Sequence, residues 1–145
     1  MNKIIAFFPA AALLCMASVV QAQSATYVTT GGDQTTTGTA EFGASMQVGT
    51  SVATYSDGSK RSENWTCIGA TNPPNDKTFD VHFVCDLSSS QGTYSINFGC
   101  QNLPDGSQGC VGGLLGKTGA YAKKVGATTW MGTGGTGSGT IHWKD

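Results

Sequence analysis

Short segments in which apolar and polar residues alternate, each ended by turn-forming residues, constrain the fold of this chain most strongly. The clearest covers residues 79–87, and residues 94–100 repeat the pattern after turn-forming residues at 88–92. A period of two is the spacing of a strand with one buried face. The two segments therefore predict an antiparallel hairpin with aromatic side chains on a common face. In the first segment that face carries Phe79, Val81, Phe83, Cys85 and Leu87.

Further strand patterns lie on both sides of this hairpin. Residues 42–48 predict a strand with Phe42, Ala44, Met46 and Val48 on its buried face, preceded by a loose turn at 31–33. Asp57-Gly58 predicts a tight hairpin turn, because this pair readily adopts the positive φ angles that such turns need. The complete set of predicted strands is 25–29, 42–48, 51–55, 60–70, 79–87, 94–100, 108–115, 125–131 and 136–143.

The composition favours strands and turns over helices. The chain has 21 glycines and only 12% charged residues, and after residue 22 no run of strong helix formers exceeds one turn. Eight or nine short strands predict an all-β fold, either a small antiparallel barrel or a sandwich. An outer-membrane barrel is another all-β possibility. The predicted strands of this chain are short, it lacks aromatic girdles, and it has the polar ending Trp143-Lys144-Asp145; these features argue against an outer-membrane barrel.

The N-terminal segment has the pattern of a secretory signal peptide. Lys3 supplies a positive start, residues 4–20 are apolar apart from Ser18, and Val20-Gln21-Ala22 fits the small-x-small cleavage rule. We expect cleavage after Ala22, which leaves residues 23–145 as a single domain without an integral membrane segment, secreted or periplasmic. A lipoprotein modified at Cys15 is the alternative, and the large Leu14 before it is unfavourable.

Four cysteines remain once Cys15 leaves with the signal peptide. An even number of cysteines in an exported chain predicts two disulfides, and four cysteines allow three pairings. We favour Cys67–Cys85 with Cys100–Cys110, because both pairings close short loops. A zinc site is the alternative for these residues, but the chain has no C-x-x-C pair.

Two glycine-rich motifs suggest nucleotide binding, and both fail on context. Gly116-Lys117-Thr118 ends like a phosphate-binding loop, but Val111 occupies the position of the first required glycine, and Gly119 stands where a helix should begin. Residues 132–137 match G-x-G-x-x-G, but they lie too near the C-terminus for the helix and the acidic residue of a dinucleotide site. We interpret them as a turn between the last two strands, and we expect no cofactor.

The sequence assigns no catalytic or metal-binding residues. His82 and His142 would form a weak metal site or an acid–base pair only if the fold brought them together; the alternative is that both are solvated strand residues. The carboxylates, among them Glu41 and Glu63, show no pairing that points to glycoside cleavage. The formal net charge is −1 and basic residues are scattered, so no nucleic-acid partner is expected.

One segment resembles a known family. Gly116-Lys117-Thr118-Gly119-Ala120-Tyr121, followed by Gly126 and Trp130, resembles the glycine-rich signature of allene oxide cyclase-like and dirigent-like β-barrels, many of whose exported bacterial members are uncharacterised. The resemblance spans Asp57 to Trp143 and implies an antiparallel barrel of about eight strands, in which Tyr121 plugs one end. No catalytic residue of that family matches a position here, so the resemblance implies a fold rather than an activity.

These observations lead to three functional hypotheses. The first is an exported binding module for a small apolar ligand or a macromolecular partner; the second is a cyclase- or isomerase-like enzyme that uses the barrel cavity; the third is a structural or surface-interaction protein. Trp65, Trp130 and Tyr121 are the candidate ligand or plug residues, with core packing as their alternative role. A lumen filled by Phe42, Phe79, Phe83, Phe98 and Trp65 would leave no cavity, whereas a pocket of ~300 Å³ or more would hold a ligand.

Overall fold

The computed structural model of the protein describes residues 23–39, 41–71 and 78–144. The predicted signal peptide at 1–22 lies outside the described residues, as does most of the predicted loop at 71–76. Within the described ranges, no helix has the length and hydropathy needed to cross a membrane.

Eight antiparallel strands form a closed barrel, in which each strand pairs with the next and β1 pairs with β8. The strands are β1 Ser24–Gly38, β2 Gly43–Tyr55, β3 Lys60–Thr71, β4 Val81–Ser89, β5 Gly92–Asn102, β6 Gln108–Gly116, β7 Val125–Thr133 and β8 Thr136–Lys144. One 3-10 turn, Gly119–Tyr121, lies between β6 and β7. The prediction of a small all-β antiparallel barrel is confirmed.

The first two strands are longer than the sequence pattern indicated. β1 continues through 31–33, where the register with β2 shifts between Gly31 and Gln34, so the predicted loose turn is a β-bulge. Glycine and polar residues fit such a bulge because it leaves one residue unpaired and bends the strand. The predicted strands 42–48 and 51–55 are one continuous strand, β2, which gives eight strands in place of nine.

The predicted buried face of β2 is wrong. Phe42, Met46 and Val48 are exposed, Phe42 by 63%, whereas Ser51, Ala53 and Tyr55 point into the barrel. Alternation separates the two faces of a strand but does not say which one is buried; the cross-strand register decides that. Here the register sets Met46 beside Ile68, which is 59% exposed on the outer wall of β3.

The hairpin of β4 and β5 agrees with the prediction at every position except Phe79. The inward set is Val81, Phe83, Cys85 and Leu87 on β4 with Tyr94, Ile96, Phe98 and Cys100 on β5. Phe79 precedes β4, and its ring packs on the outside against Gly99 and 5.3 Å from the ring of His82. The chain has not yet entered the sheet at Phe79, so the alternation of β4 does not extend to it.

The two predicted disulfides are confirmed. Cys67 and Cys85 are direct cross-strand neighbours on β3 and β4, and Cys100 and Cys110 hold the same relation on β5 and β6. Their Cα atoms are 4.0 and 4.1 Å apart. Each bridge closes a short loop and is worth about 2–4 kcal/mol of stability. The first bridge cross-links β3 to β4 and the second cross-links β5 to β6, and these four adjacent strands form one half of the barrel wall.

Candidate functional site

The two ends of the barrel differ. Aromatic side chains fill the end that carries the 3-10 turn: the Tyr94 and Tyr121 ring centroids are 4.8 Å apart, and Trp143 lies 5.2 Å from Tyr94 and 5.3 Å from Tyr121. All three side chains are fully buried. Offset and edge-on contacts of this kind add to the free energy gained by burial alone. We call this the closed end.

Tyr121 therefore lies inside the closed end, on the 3-10 turn Gly119–Tyr121. Gly119 begins that turn with a φ of 61°, a left-handed conformation that glycine adopts without strain. The Tyr121 ring is 1% exposed, and its hydroxyl lies 3.2 Å from Glu63 Oε1 and 3.4 Å from an Arg61 guanidinium nitrogen. The Arg61 guanidinium also covers the Tyr55 ring at 4.0 Å. The turn is thus tied to β3 as well as to its own neighbours.

Glu63 is the one buried carboxylate among the described residues, with 3% of its surface exposed. Its Oε2 accepts hydrogen bonds from the Tyr94 hydroxyl at 2.8 Å and from Ser51 Oγ at 3.2 Å, and its Oε1 accepts one from Tyr121. Burial raises the pKa of this carboxyl, and the three hydroxyl donors offset part of the increase. Satisfied in this way, the carboxylate holds the closed end together.

A cavity of about 400 Å³ occupies the other half of the lumen. It reaches the end of the barrel where the β5–β6 and β7–β8 turns lie, with Gly106 and Gly134 at its edge; we call this end the mouth. Trp65, Leu87 and Ile96 line its deeper part. Its volume lies within the range of small-molecule sites.

Inward-facing glycines explain how a lumen with so many aromatic rings keeps a cavity. The Trp65 ring packs against Gly49, and the Phe83 ring packs against Gly69. In each pair the ring and the glycine are direct cross-strand neighbours. A methyl group built on either glycine would overlap the ring beside it. Phe98 with Gly112 and Tyr27 with Gly139 repeat the arrangement. Each ring therefore lies along the wall instead of crossing the lumen.

The described residues that line the cavity carry no charge. Tyr27 is the only one with a titratable side chain, since the cysteines there are oxidised. Its hydroxyl donates to the Thr129 carbonyl oxygen at 2.8 Å, and burial raises its pKa to about 12, so it stays neutral at physiological pH. Trp130 donates its indole N–H to Thr29 Oγ1 at 3.0 Å. The polar groups of the deeper wall are thus paired with the protein itself.

The structure brings two of the three candidate ligand residues together. Trp65 and Trp130 both line the cavity, while Tyr121 lies in the closed end. His82 on β4 and His142 on β8 are exposed on opposite walls, and His142 Nδ1 lies 2.9 Å from Ser24 Oγ. Among the residues the structure describes, no group of His, Cys, Asp and Glu is arranged to hold a metal ion.

The glycine-rich motifs have structural positions. Lys117 pairs with Asp86 at 2.7 Å on the outer wall, and Thr118 bonds to Thr93 on β5. Gly134-Gly135 forms the turn between β7 and β8, as predicted, with φ angles of 57° and 77°. Lys117 and Thr118 thus connect the end of β6 to β4 and β5, and Gly134-Gly135 connects β7 to β8.

Comparison with other proteins adds no assignment: no family model, curated protein or solved structure matches the chain.

Sequence reasoning did not single out Glu63, although a signal for it was present. Glu63 lies two residues before Trp65 and four before Cys67 on one strand, so the same alternation that turns those side chains inward also turns Glu63 inward. Four carboxamide residues that line the cavity near the mouth were also missed: Gln34, Gln47, Asn102 and Gln108. The sequence alone does not say whether a polar side chain on a strand points into a lumen or out to solvent.

Proposed function

We propose that this protein is an exported, non-enzymatic barrel that binds a small, largely apolar ligand in its lumen. The observation that carries the proposal is the cavity of about 400 Å³, walled by Trp65, Phe83, Phe98 and Trp130. A concave, mostly aromatic and aliphatic wall with few polar groups is the usual form of a small-molecule site. Two disulfides support the export, since such bonds persist in oxidising compartments.

The chemistry of the wall favours binding over catalysis. General acid–base catalysis needs a group that gains or loses a proton near the working pH, placed within hydrogen-bond reach of the substrate. The described cavity wall offers only Tyr27, whose pKa is about 12. Glu63 does not line the cavity; its carboxylate is engaged by Ser51, Tyr94 and Tyr121 behind it. We also propose kinship with the allene oxide cyclase-like and dirigent-like barrels, supported by the 116–130 segment and the barrel fold.

The test is the binding of Nile red, a neutral apolar dye whose fluorescence rises in an apolar site. We expect saturable binding to the purified protein at one site. Ser45→Trp places a large side chain at a residue that lines the cavity, and we expect it to abolish the signal. Thr66→Trp makes the same kind of change on the outer wall of β3 and serves as the matched control.

Dye binding that is lost in Ser45→Trp and retained in Thr66→Trp supports the lumen as the site. Equal signals from the three proteins would place the dye on the outer wall and refute the proposal. No saturable signal from the folded wild-type protein, together with no stabilisation by fatty acids or terpenoids in thermal unfolding, would refute it as well.

A further inference from the structure

Two pairs of carboxamide side chains face each other across the mouth. Gln34 on β1 is the direct cross-strand neighbour of Gln47 on β2, and Asn102 on β5 is that of Gln108 on β6. All four line the cavity. In this closed barrel, β3 and β4 separate the β1–β2 pair from the β5–β6 pair on one side, and β7 and β8 separate them on the other. The two pairs therefore lie on opposite sides of the opening.

Each pair is oriented by one bond and keeps further hydrogen-bonding capacity. Gln108 Nε2 donates to Asn102 Oδ1 at 2.9 Å, and Gln47 Nε2 donates to the Gly134 carbonyl oxygen at 2.8 Å. A carboxamide has two N–H donors and an oxygen that accepts two bonds, so one bond leaves most of this capacity for a ligand. A hydroxyl group, which both donates and accepts, matches such a surface.

The described lining of the cavity is uncharged, and the charged groups nearest the opening are carboxylates. Asp80 accepts a hydrogen bond from the Asn102 amide at 2.7 Å, and Asp105, in the β5–β6 turn, accepts one from the Ser107 amide at 3.0 Å. An anionic head group held at the mouth would lose hydration and face these carboxylates, with no counter-ion from the described wall, and that loss is costly. A neutral polar head group avoids this loss.

Building on the function proposed above, we propose that the natural ligand is an uncharged amphiphile with a hydroxyl-bearing head group. Its head is held between the two carboxamide pairs at the mouth, and its apolar part lies against Trp65, Leu87 and Ile96. Such a molecule matches the polarity of the cavity from end to end, with hydrogen bonds at the opening and an apolar interior.

The experiment compares two ligands with the same apolar chain. Monolaurin has a neutral head with two hydroxyls, and laurate has a carboxylate. Both are titrated against bound Nile red at neutral pH, below the concentrations at which they aggregate. We expect monolaurin to displace the dye at about tenfold lower concentration than laurate, because the described wall offers no counter-ion to the laurate carboxylate when it loses its hydration at the mouth. Equal potency, or stronger displacement by laurate, overturns the inference.

Variants test the role of the mouth. Gln47→Leu and Gln108→Leu each remove one hydrogen-bonding group at the opening and should reduce the preference for monolaurin over laurate, with each displacement measured against that variant's own Nile red affinity. Gln101→Leu is the matched control, because Gln101 is exposed beside Asn102 and its amide bonds to the Thr78 carbonyl oxygen outside the cavity. A preference for monolaurin that survives both mouth variants overturns the placement of the head group. Failure of the wild-type protein to bind Nile red, together with no stabilisation by fatty acids or terpenoids, refutes the underlying function instead.

Discussion

The Phe83 ring on β4 packs against Gly69, its direct cross-strand neighbour on β3, and occupies the position that a Cβ atom at residue 69 would take. The space in front of the ring belongs to the cavity, which Phe83 also lines. The absence of a side chain at Gly69 on β3 thus determines how much of the lumen the Phe83 ring on β4 leaves free.

Gly69→Ala should therefore push the Phe83 ring into the lumen. We expect a loss of about 1–3 kcal/mol in the free energy of unfolding, as for overpacked cores, and weaker Nile red binding. Denaturant unfolding and dye titration measure the two effects. Gly113→Ala is the control, because a Cβ built there comes no closer than 4.0 Å to its nearest neighbour atom, the Gly126 carbonyl oxygen. Unchanged dye affinity in Gly69→Ala would show that the ring does not limit the cavity.

The two isoleucines Ile96 and Ile68 test the orientation of the barrel wall. Ile96 is buried in the lumen and Ile68 is exposed on the outer wall. Ile96→Ala should cost about 2–5 kcal/mol of stability, and Ile68→Ala should change stability by no more than about 0.5 kcal/mol. Urea denaturation of both variants measures the difference. Similar costs for the two would contradict the assignment of inner and outer faces.

Glu63 should make stability depend on pH. Burial raises the pKa of its carboxyl above the usual value of 4.5, so ionisation costs more in the folded than in the unfolded chain. The stability contributed by this group is complete below the unfolded pKa and is lost as the pH rises through the folded pKa. Because Glu63→Gln cannot ionise, the difference in Tm, wild type minus variant, should fall as the pH rises from acidic to neutral.

Glu41→Gln provides the matched control for this measurement, since Glu41 is exposed just before β2. Thermal unfolding followed by circular dichroism at several pH values gives the Tm of each protein. A difference between wild type and Glu63→Gln that increases with pH would contradict the direction of the shift.

Each disulfide should stabilise the barrel by about 2–4 kcal/mol. Replacing both partners by alanine, as in Cys67→Ala with Cys85→Ala, should lower the free energy of unfolding by this amount in denaturant. Alanine avoids placing an unpaired hydroxyl in the lumen. Wild-type stability that does not change when a reductant is added would contradict the prediction.

The predicted cleavage site is compatible with an intact sheet. The first strand begins at Ser24, and the Gln23 carbonyl oxygen accepts a hydrogen bond from the Trp143 amide at 2.9 Å. Cleavage after Ala22 would therefore keep every residue of β1. N-terminal sequencing of the protein after expression of the full chain in a secreting host should give Gln23 as the first residue. A first residue beyond Ser24 would contradict the prediction.

The sequence predicted the strands well where turn residues and alternation coincide, as in the β4–β5 hairpin. The two disulfides were also predicted correctly, because the number of cysteines and the short loops between them are visible in the sequence. It failed at Phe42 and Met46, because a strand with apolar residues on one side and small residues on the other buries whichever face the register dictates. The inner face of β2 is rich in small residues such as Gly49 and Ser51, which make room for Trp65 and Glu63. That requirement comes from neighbouring strands and is not visible within β2.

The same limit applies to the cavity. From the sequence, a filled lumen and an open pocket were both possible, since the volumes of Trp65, Phe83 and Phe98 are known and their orientations are not. The pairing of each ring with a glycine on the next strand is what leaves the pocket open. Glycines at matching positions of paired strands are therefore informative only after the register has been established.

The closed end makes the cavity a blind channel. Tyr94, Tyr121 and Trp143 occupy one end of the barrel, so a molecule in the lumen enters and leaves by the same opening. A substitution that narrows the opening without touching the bound molecule then slows association and dissociation by the same factor and leaves Kd unchanged. At a given affinity, the width of the mouth therefore sets the residence time of a ligand.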